Sequence, residues 1–124
     1  MAKVILCIED NLDNMTLVKR VLEIEGYEVI SAETGQEGVH KALTLLPDLV
    51  ITDINLPDID GYEVTDALKK NAKTARIPVV AMTANVMKKD RDNVFRAGCD
   101  GYISKPIDID ELPVQIESFL KGIK

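Results

Sequence analysis

Three carboxylates, one hydroxyl and one ammonium stand at the ends of apolar runs. Glu9 and Asp10 follow Val4-Ile5-Leu6-Cys7-Ile8, and Asp53 closes Leu49-Val50-Ile51-Thr52. Thr83 ends Val79-Val80-Ala81-Met82, and Lys105-Pro106 follows Gly101-Tyr102-Ile103-Ser104. Short apolar runs of this kind read as buried parallel strands. In an open α/β sheet, ligands bind beyond the C-terminal strand ends. Such a set can hold a divalent cation and accept a phosphoryl group. A carboxylate is a weak nucleophile, yet it forms an acyl phosphate when a phosphodonor is held in line. Like charges set the condition for that chemistry. Two carboxylates about 5 Å apart at an effective dielectric of about 20 repel by about 3 kcal/mol. A phosphoryl group adds to the repulsion. A divalent cation is therefore required, and Mg²⁺ (or Mn²⁺) suits oxygen ligands and phosphate.

Taken singly, these residues have plainer readings. Asp53 could be a turn acid or a helix N-cap, Glu9-Asp10 a solvated loop, Thr83 a cap and Lys105 a surface lysine. Their joint placement at four strand ends favours the chemical reading.

Apolar runs alternate with helical segments five times. Strands are expected at about residues 3–8, 28–31, 48–52, 78–82 and 101–104, and helices at about 12–25, 34–46, from about 60 onward, 85–96 and 110–121. Met15, Val18, Val21 and Leu22 share one face of the first helix, and Gly26 suits its C-terminal stop. Thr34-Gly35-Gln36-Glu37 has the capping-box pattern, and Asp60-Gly61-Tyr62-Glu63 is similar. The third helix should turn Val64, Ala67 and Leu68 inward. The fourth is weakly amphipathic, with Lys88-Lys89-Asp90-Arg91-Asp92 at its centre, and the fifth carries Val114, Ile116, Phe119 and Leu120. Pro113 loses no hydrogen bond if Asp110 caps the fifth helix, whereas a start at Asp108 distorts the first turn. Repeated β-then-α units imply a parallel sheet with right-handed crossovers and helices on both faces.

The 124 residues suit one compact domain, and 46% hydrophobic content supports a core built from Val, Ile and Leu, since Trp is absent. The formal net charge of −6 argues against a nucleic-acid surface, which needs clustered Lys and Arg. No apolar run approaches the roughly 18 residues that cross a bilayer, and no signal stretch opens the chain. The expected location is the cytoplasm. Cys7 and Cys99 lie in or beside apolar runs and read as free, buried thiols.

Glu9-Asp10, Asp53-x-x-x-Pro57-x-x-x-Gly61, Thr83-Ala84, Ala97-Gly98 and Lys105-Pro106, in this order, closely resemble the receiver domain of bacterial response regulators. The likeness covers essentially the whole chain. It implies a flavodoxin-like (βα)5 fold with strand order 2-1-3-4-5, a single receiver domain over residues 1–124 and no output domain. It also implies that Asp53 is the phosphoacceptor. Asp10, Asp53 and the backbone carbonyl of Asn55 would ligate the metal, with Glu9 acting through water. Thr83 and Lys105 would stabilise the phosphoryl group, Thr83 and Tyr102 would form the switch, and Pro106 would follow a cis peptide. Asn55 and Asn85 occupy the positions that tune dephosphorylation. The partners implied are a sensor histidine kinase or a histidine phosphotransfer protein, and a downstream protein that reads the face of helix four, strand five and helix five. His40, the sole histidine, lies on helix two and is not treated as a phosphoacceptor.

Two other functions compete. A metal-dependent phosphohydrolase with an aspartyl intermediate normally wants an acid two residues after the nucleophile, and Asn55 stands there. A flavodoxin-like electron carrier would need a phosphate loop after strand one, where Glu9-Asp10-Asn11 would repel a cofactor phosphate. The leading reading is a phosphorylation switch, an acceptor rather than an enzyme.

Overall fold

The computed structural model describes residues 2–84 and 88–121, with the side chains of 88–91 outside that description. Ten elements alternate: β1 Val4–Ile8, α1 Leu12–Ile24, β2 Glu28–Ala32, α2 Gly35–Leu45, β3 Leu49–Asp53, α3 Gly61–Lys70, β4 Val79–Thr83, α4 Lys88–Arg96, β5 Gly101–Ser104 and α5 Glu111–Leu120. The five strands form one parallel sheet in the order β2-β1-β3-β4-β5. The expected elements and strand order are those observed. Asp53 and Thr83 are the last residues of their strands rather than the first residues after them.

Alternation along each strand divides the interior into two faces. Ile5 and Cys7 of β1, Leu49 and Ile51 of β3, and Val80 and Met82 of β4 pack with Met15, Val18 and Leu22 of α1 and Leu112 and Ile116 of α5. On the opposite face, Leu6, Ile8, Val50 and Val79 meet Ala42 of α2 and Val64 and Leu68 of α3. A smaller cluster beside it joins Ala81, Val94 of α4 and Cys99, with Tyr102 packed against them.

Local chemistry sets the helix starts. The Asn11 side chain accepts from the Asn14 amide (3.0 Å), Thr34 from Glu37 (3.1 Å) and Asp60 from Glu63 (2.8 Å). The amide of Glu33, one residue before the cap, donates to Glu37 Oε1 (2.8 Å), so Glu37 reaches back past Thr34 in a variant of the capping box. Gly98 closes the turn after α4 at a φ of 97°, in the left-handed region. Gly61 answers a different demand. Its amide donates to the Ile54 carbonyl (2.9 Å), and a Cβ there would lie 2.5 Å from the Asp53 carbonyl oxygen. Only glycine lets α3 start this close to the end of β3.

One expectation changes, at α3, and two points left open at α5 are decided. Ala67 is exposed, and Gly61 and Thr65 are buried with Val64 and Leu68, so the inward face of α3 is rotated from the sequence pattern. Val114 is 67% exposed, and Leu112 and Ile116 are the buried residues of α5. Asp110 makes no side-chain cap; instead Asp108 Oδ1 accepts from the Asp110 and Glu111 amides at 2.9 and 3.2 Å. The Leu112 amide bonds the Asp108 carbonyl (3.0 Å), so helical bonding starts at Asp108. Pro113 follows one turn later with no amide for the exposed Ile109 carbonyl. Cys7 and Cys99 are free and buried, as expected. Burial, reinforced by Glu9, pushes the Cys7 thiol up, so it stays protonated. Among the described residues, no helix is long and apolar enough to cross a membrane.

Candidate acidic phosphoryl and metal site

The β1 and β3 ends are neighbours because their strands pair, with Ile8 opposite Thr52. Glu9, Asp10 and Asp53 each offer a carboxylate oxygen, and these oxygens lie within 4.8 Å of one another. Their surroundings differ sharply. Glu9 is 1% exposed and Asp53 5%, whereas Asp10 is exposed. Lys105 reaches in from the loop after β5. Its ammonium lies 3.1 Å from Glu9 Oε2, 3.4 Å from Glu9 Oε1 and 3.2 Å from Asp53 Oδ2. Glu9 Oε1 also accepts from the Asn11 amide (3.2 Å), and Asp53 Oδ1 from the Asn55 amide (3.3 Å). The Asp10 carboxylate has no partner among the described residues.

Burial is the main cause that raises the Glu9 carboxyl above its ordinary value; Asp53 adds to it, against Lys105 and the Asn11 amide. Burial would lower Lys105, but Asp53 and Glu9 outweigh it and hold the ammonium above its ordinary range. Lys105 is therefore a fixed positive charge at neutral pH. Three carboxylates and one ammonium leave a formal charge of −3 + 1 = −2 at the cluster. An all-oxygen donor set carrying that charge fits a hard divalent cation.

Thr83 stands on the same sheet edge. Met82 pairs with Asp53 across β3 and β4, which sets Thr83 one residue beyond the acid. On its other side Thr83 pairs with Ser104, and its carbonyl accepts from the Lys105 amide (2.9 Å). The Lys105–Pro106 peptide is cis. Tyr102 is half-buried on the α4 side of the sheet, set back from the acids, and meets Phe95 edge-on at a ring separation of 6.3 Å. Asn55 is exposed two residues after Asp53. Asn85 lies outside the described residues. His40 is exposed on α2.

One contributor is not legible in the sequence. Asp58, in the loop after Asp53, accepts from the amides of Gly35 and Gln36 at 2.8 Å each. Backbone amides, that of Gln36 foremost and then that of Gly35, hold its carboxyl below its ordinary value. They tie the loop that leaves Asp53 to the start of α2. No local signal marks a contact spanning more than twenty residues.

Residues 5–117 match the model of the response regulator receiver domain. The chain belongs to that family. It is 41% identical over 120 residues to the polar-differentiation response regulator DivK of Brucella ovis, spanning 97% of this chain and 98% of the relative. A putative response regulator from Chloroflexus aurantiacus superposes with a TM-score of 0.94 at 29% identity, covering 98% of this chain and 99% of that one. The receiver domain of the sensor histidine kinase PA1611 from Pseudomonas aeruginosa, solved with a magnesium ion coordinated in its active-site cleft, superposes at 0.90 with 31% identity over 98% and 99% of the chains. This receiver domain is thus a phosphorylation-dependent switch in two-component signalling, of the kind phosphorylated by histidine kinases or phosphotransfer proteins.

Proposed function

We propose that Asp53 accepts the phosphoryl group from a phosphohistidine of a sensor kinase or phosphotransfer protein, with Mg²⁺ or Mn²⁺ held by Asp10, Asp53 and the Asn55 backbone carbonyl. The observation that carries this reading is the gathering of Glu9, Asp10, Asp53 and Lys105 at one sheet edge. The bound cation would offset charge on the phosphoryl oxygens. Asp53 is buried and fixed through its neighbours, so its carboxylate is oriented before the donor arrives. An oxygen of Asp53 bonds to phosphorus while the phosphorus–nitrogen bond breaks, and that electron pair leaves on the imidazole. Lys105 then turns from the Asp53 carboxylate to a phosphoryl oxygen. Glu9 keeps both oxygens engaged by Lys105 and the Asn11 amide, so it would act on a bound cation only through water. The Thr83 hydroxyl binds another phosphoryl oxygen, and Tyr102 follows inward. Asn55 would stand beside the water that ends the signal; Asn85, the other residue expected there, lies outside the described residues.

The output is a binding event on α4, β5 and α5. A groove of about 330 Å³ lies there between Phe95, Cys99, Gly101, Tyr102 and Phe119. The half-exposed Phe95 supplies an aromatic anchor of the kind that interfaces favour. Lys88, Lys89 and Arg91, expected to meet an acidic partner patch, have side chains outside the described residues. The protein is an acceptor rather than a turnover enzyme, and its place is the cytoplasm. With Asn55 two residues after Asp53, the phosphohydrolase alternative lacks its proton donor.

Incubation with a small acyl-phosphate donor and Mg²⁺ should add one phosphoryl group by intact mass, labile to hydroxylamine. Asp53→Asn should add none. An adduct that persists in Asp53→Asn overturns the assignment.

A further inference from the structure

The loop that leaves Asp53 is held at its middle by one of its own carboxylates. Ile54 still bonds to the sheet, its amide donating to the Met82 carbonyl (3.2 Å), and α3 begins where the Gly61 amide donates to the Ile54 carbonyl (2.9 Å). Residues 55–59 between them belong to neither strand nor helix. Asp58 reaches out of this segment to the first turn of α2 and takes the Gly35 and Gln36 amides at 2.8 Å each. Thr34 takes the next amide, that of Glu37 (3.1 Å). The free amides that open α2 are thus divided between its own cap and a residue of a distant loop.

α2 is itself firmly seated. A Cβ at Gly38 would overlap the Ile8 side chain, so the helix lies directly against the end of β1, one residue before Glu9. A Cβ at Gly35 would overlap the Ile59 side chain, so the same helix also lies directly against the loop after β3. Both halves of the acidic edge are therefore referred to one helix: Glu9 and Asp10 through Ile8, and Asn55 through Asp58, three residues further on. A backbone carbonyl cannot be aimed by its own side chain. Its direction follows from how the chain on either side is held. Before it, the Asn55 amide donates to Asp53 Oδ1 at 3.3 Å, a long bond. After it, the next side-chain tie among the described residues is Asp58. Asp58 is exposed, so these two bonds are not required to satisfy a buried acid.

We infer that Asp58 is a positioning residue for phosphoryl transfer: by binding the Gly35 and Gln36 amides, it holds the loop after β3 where the Asn55 carbonyl can meet a divalent cation. This rests on the reading above in which that carbonyl is a ligand. Asp58 acts through the loop and is not itself a ligand. It narrows the range of loop positions before the cation arrives, so less order has to be imposed on binding.

The test titrates the full-length protein with Mg²⁺ alone, by calorimetry and without a phosphodonor, and follows urea unfolding of the same samples. Asp58→Ala should weaken Mg²⁺ binding severalfold. Asp58→Asn keeps an acceptor for one of the two amides but carries no charge, and its affinity should lie between those of Asp58→Ala and wild type. Thr34→Ala removes the neighbouring cap of α2 and leaves the loop tie in place. It should lower the urea midpoint and leave Mg²⁺ affinity unchanged. Wild-type affinity in Asp58→Ala overturns the inference. So does equal weakening in Thr34→Ala, which traces the effect to α2 as a whole. Equal weakening in Asp58→Asn and Asp58→Ala also overturns it, because charge alone then accounts for the loss. Should Asp58→Ala fail to fold, wild-type affinity in Asp58→Asn overturns it instead. Asp10→Ala separates this inference from the reading on which it rests. If Asp10→Ala loses affinity and Asp58→Ala does not, the cation site stands and the positioning role falls. If neither loses affinity, the cation binds elsewhere and both fall.

Discussion

α1 and α4 flank opposite faces of the same sheet and are held very differently. α1 buries Met15, Val18 and Leu22 in the large cluster shared by β1, β3, β4 and α5. Of the described side chains of α4, residues 92–96, only Val94 is buried, and among the described residues its cluster joins Ala81 and Cys99, with Ile54, Tyr62 and Tyr102 partly buried against it. The acid-bearing loop between β1 and α1 is as firmly placed as its helix. Asn11 caps α1, and Glu9 is tied to the Asn11 amide and to Lys105. The difference matches a division of labour. A phosphoryl site needs side chains fixed before the donor arrives, whereas a signalling surface needs an element whose packing can change at small cost.

The sharpest test of that contrast is one substitution made twice. Val18 on α1 and Val94 on α4 are both fully buried valines, at 0% and 1% exposure. Val18→Ala should cost about 2–3 kcal/mol, because its surroundings cannot close over the lost methyls. Val94→Ala should cost about 1 kcal/mol, because a lightly held helix can settle into the space. Equal shifts in urea midpoint would remove the distinction.

The metal contrast within the acidic loop is next in size. Asp10→Ala removes from the proposed cation site an exposed carboxylate with no partner among the described residues, and should weaken Mg²⁺ binding by about tenfold or more, a loss of the size seen when metal-site partners are removed. Glu9→Gln should weaken it less, since Glu9 is already engaged with Lys105. A titration in which both variants match wild type would mean that the cation sits elsewhere.

Native-state amide exchange carries the comparison to the backbone. The Val18 and Leu22 amides should exchange only by global unfolding, and the Val94 and Phe95 amides faster, through local opening. Protection as strong in α4 as in α1 would break the proposed division of labour.

The smallest effect follows from the raised Glu9 carboxyl. A carboxyl held above its ordinary value of 4.5 makes the folded state bind protons more readily than the unfolded chain. Without metal, stability should therefore fall as pH rises above 4.5, until Glu9 is ionised in the folded state as well. Glu9→Gln should lack that part of the decline. Parallel pH profiles for the two proteins would show that Lys105 fully compensates the burial of Glu9.

Much of this was legible without coordinates. Periodicity and caps placed the ten elements, and the strand order followed from the family likeness carried by Asp53, Pro57, Gly61, Thr83 and Lys105-Pro106. What stayed wrong or open lies where a residue's surroundings come from distant segments. Ala67 has the right spacing for the core face of α3, but the close approach of Gly61 to β3 turns that face toward Thr65. The apolar pattern of α5 left open which residues face inward; Leu112 and Ile116 fill the space over the sheet and Val114 stands outward. The sequence left the start of α5 open between Asp110 and Asp108, and only the fold decides that Asp108 takes the amides.

The sequence by itself determined which chemical groups stand at the strand ends, because backbone period, turn residues and caps act over a few neighbours and are written locally. Only the tertiary structure decided what each group experiences. Glu9 and Asp10 are adjacent in the chain, but one is sealed against Lys105, 96 residues away, and the other faces solvent. Asp58 reaches α2, and a groove opens between α1 and α5, helices from opposite ends of the chain. Burial and pairing depend on which distant segments the sheet order brings together, and these long-range contacts separate a held acid from a solvent-facing one and a core face from an exposed face.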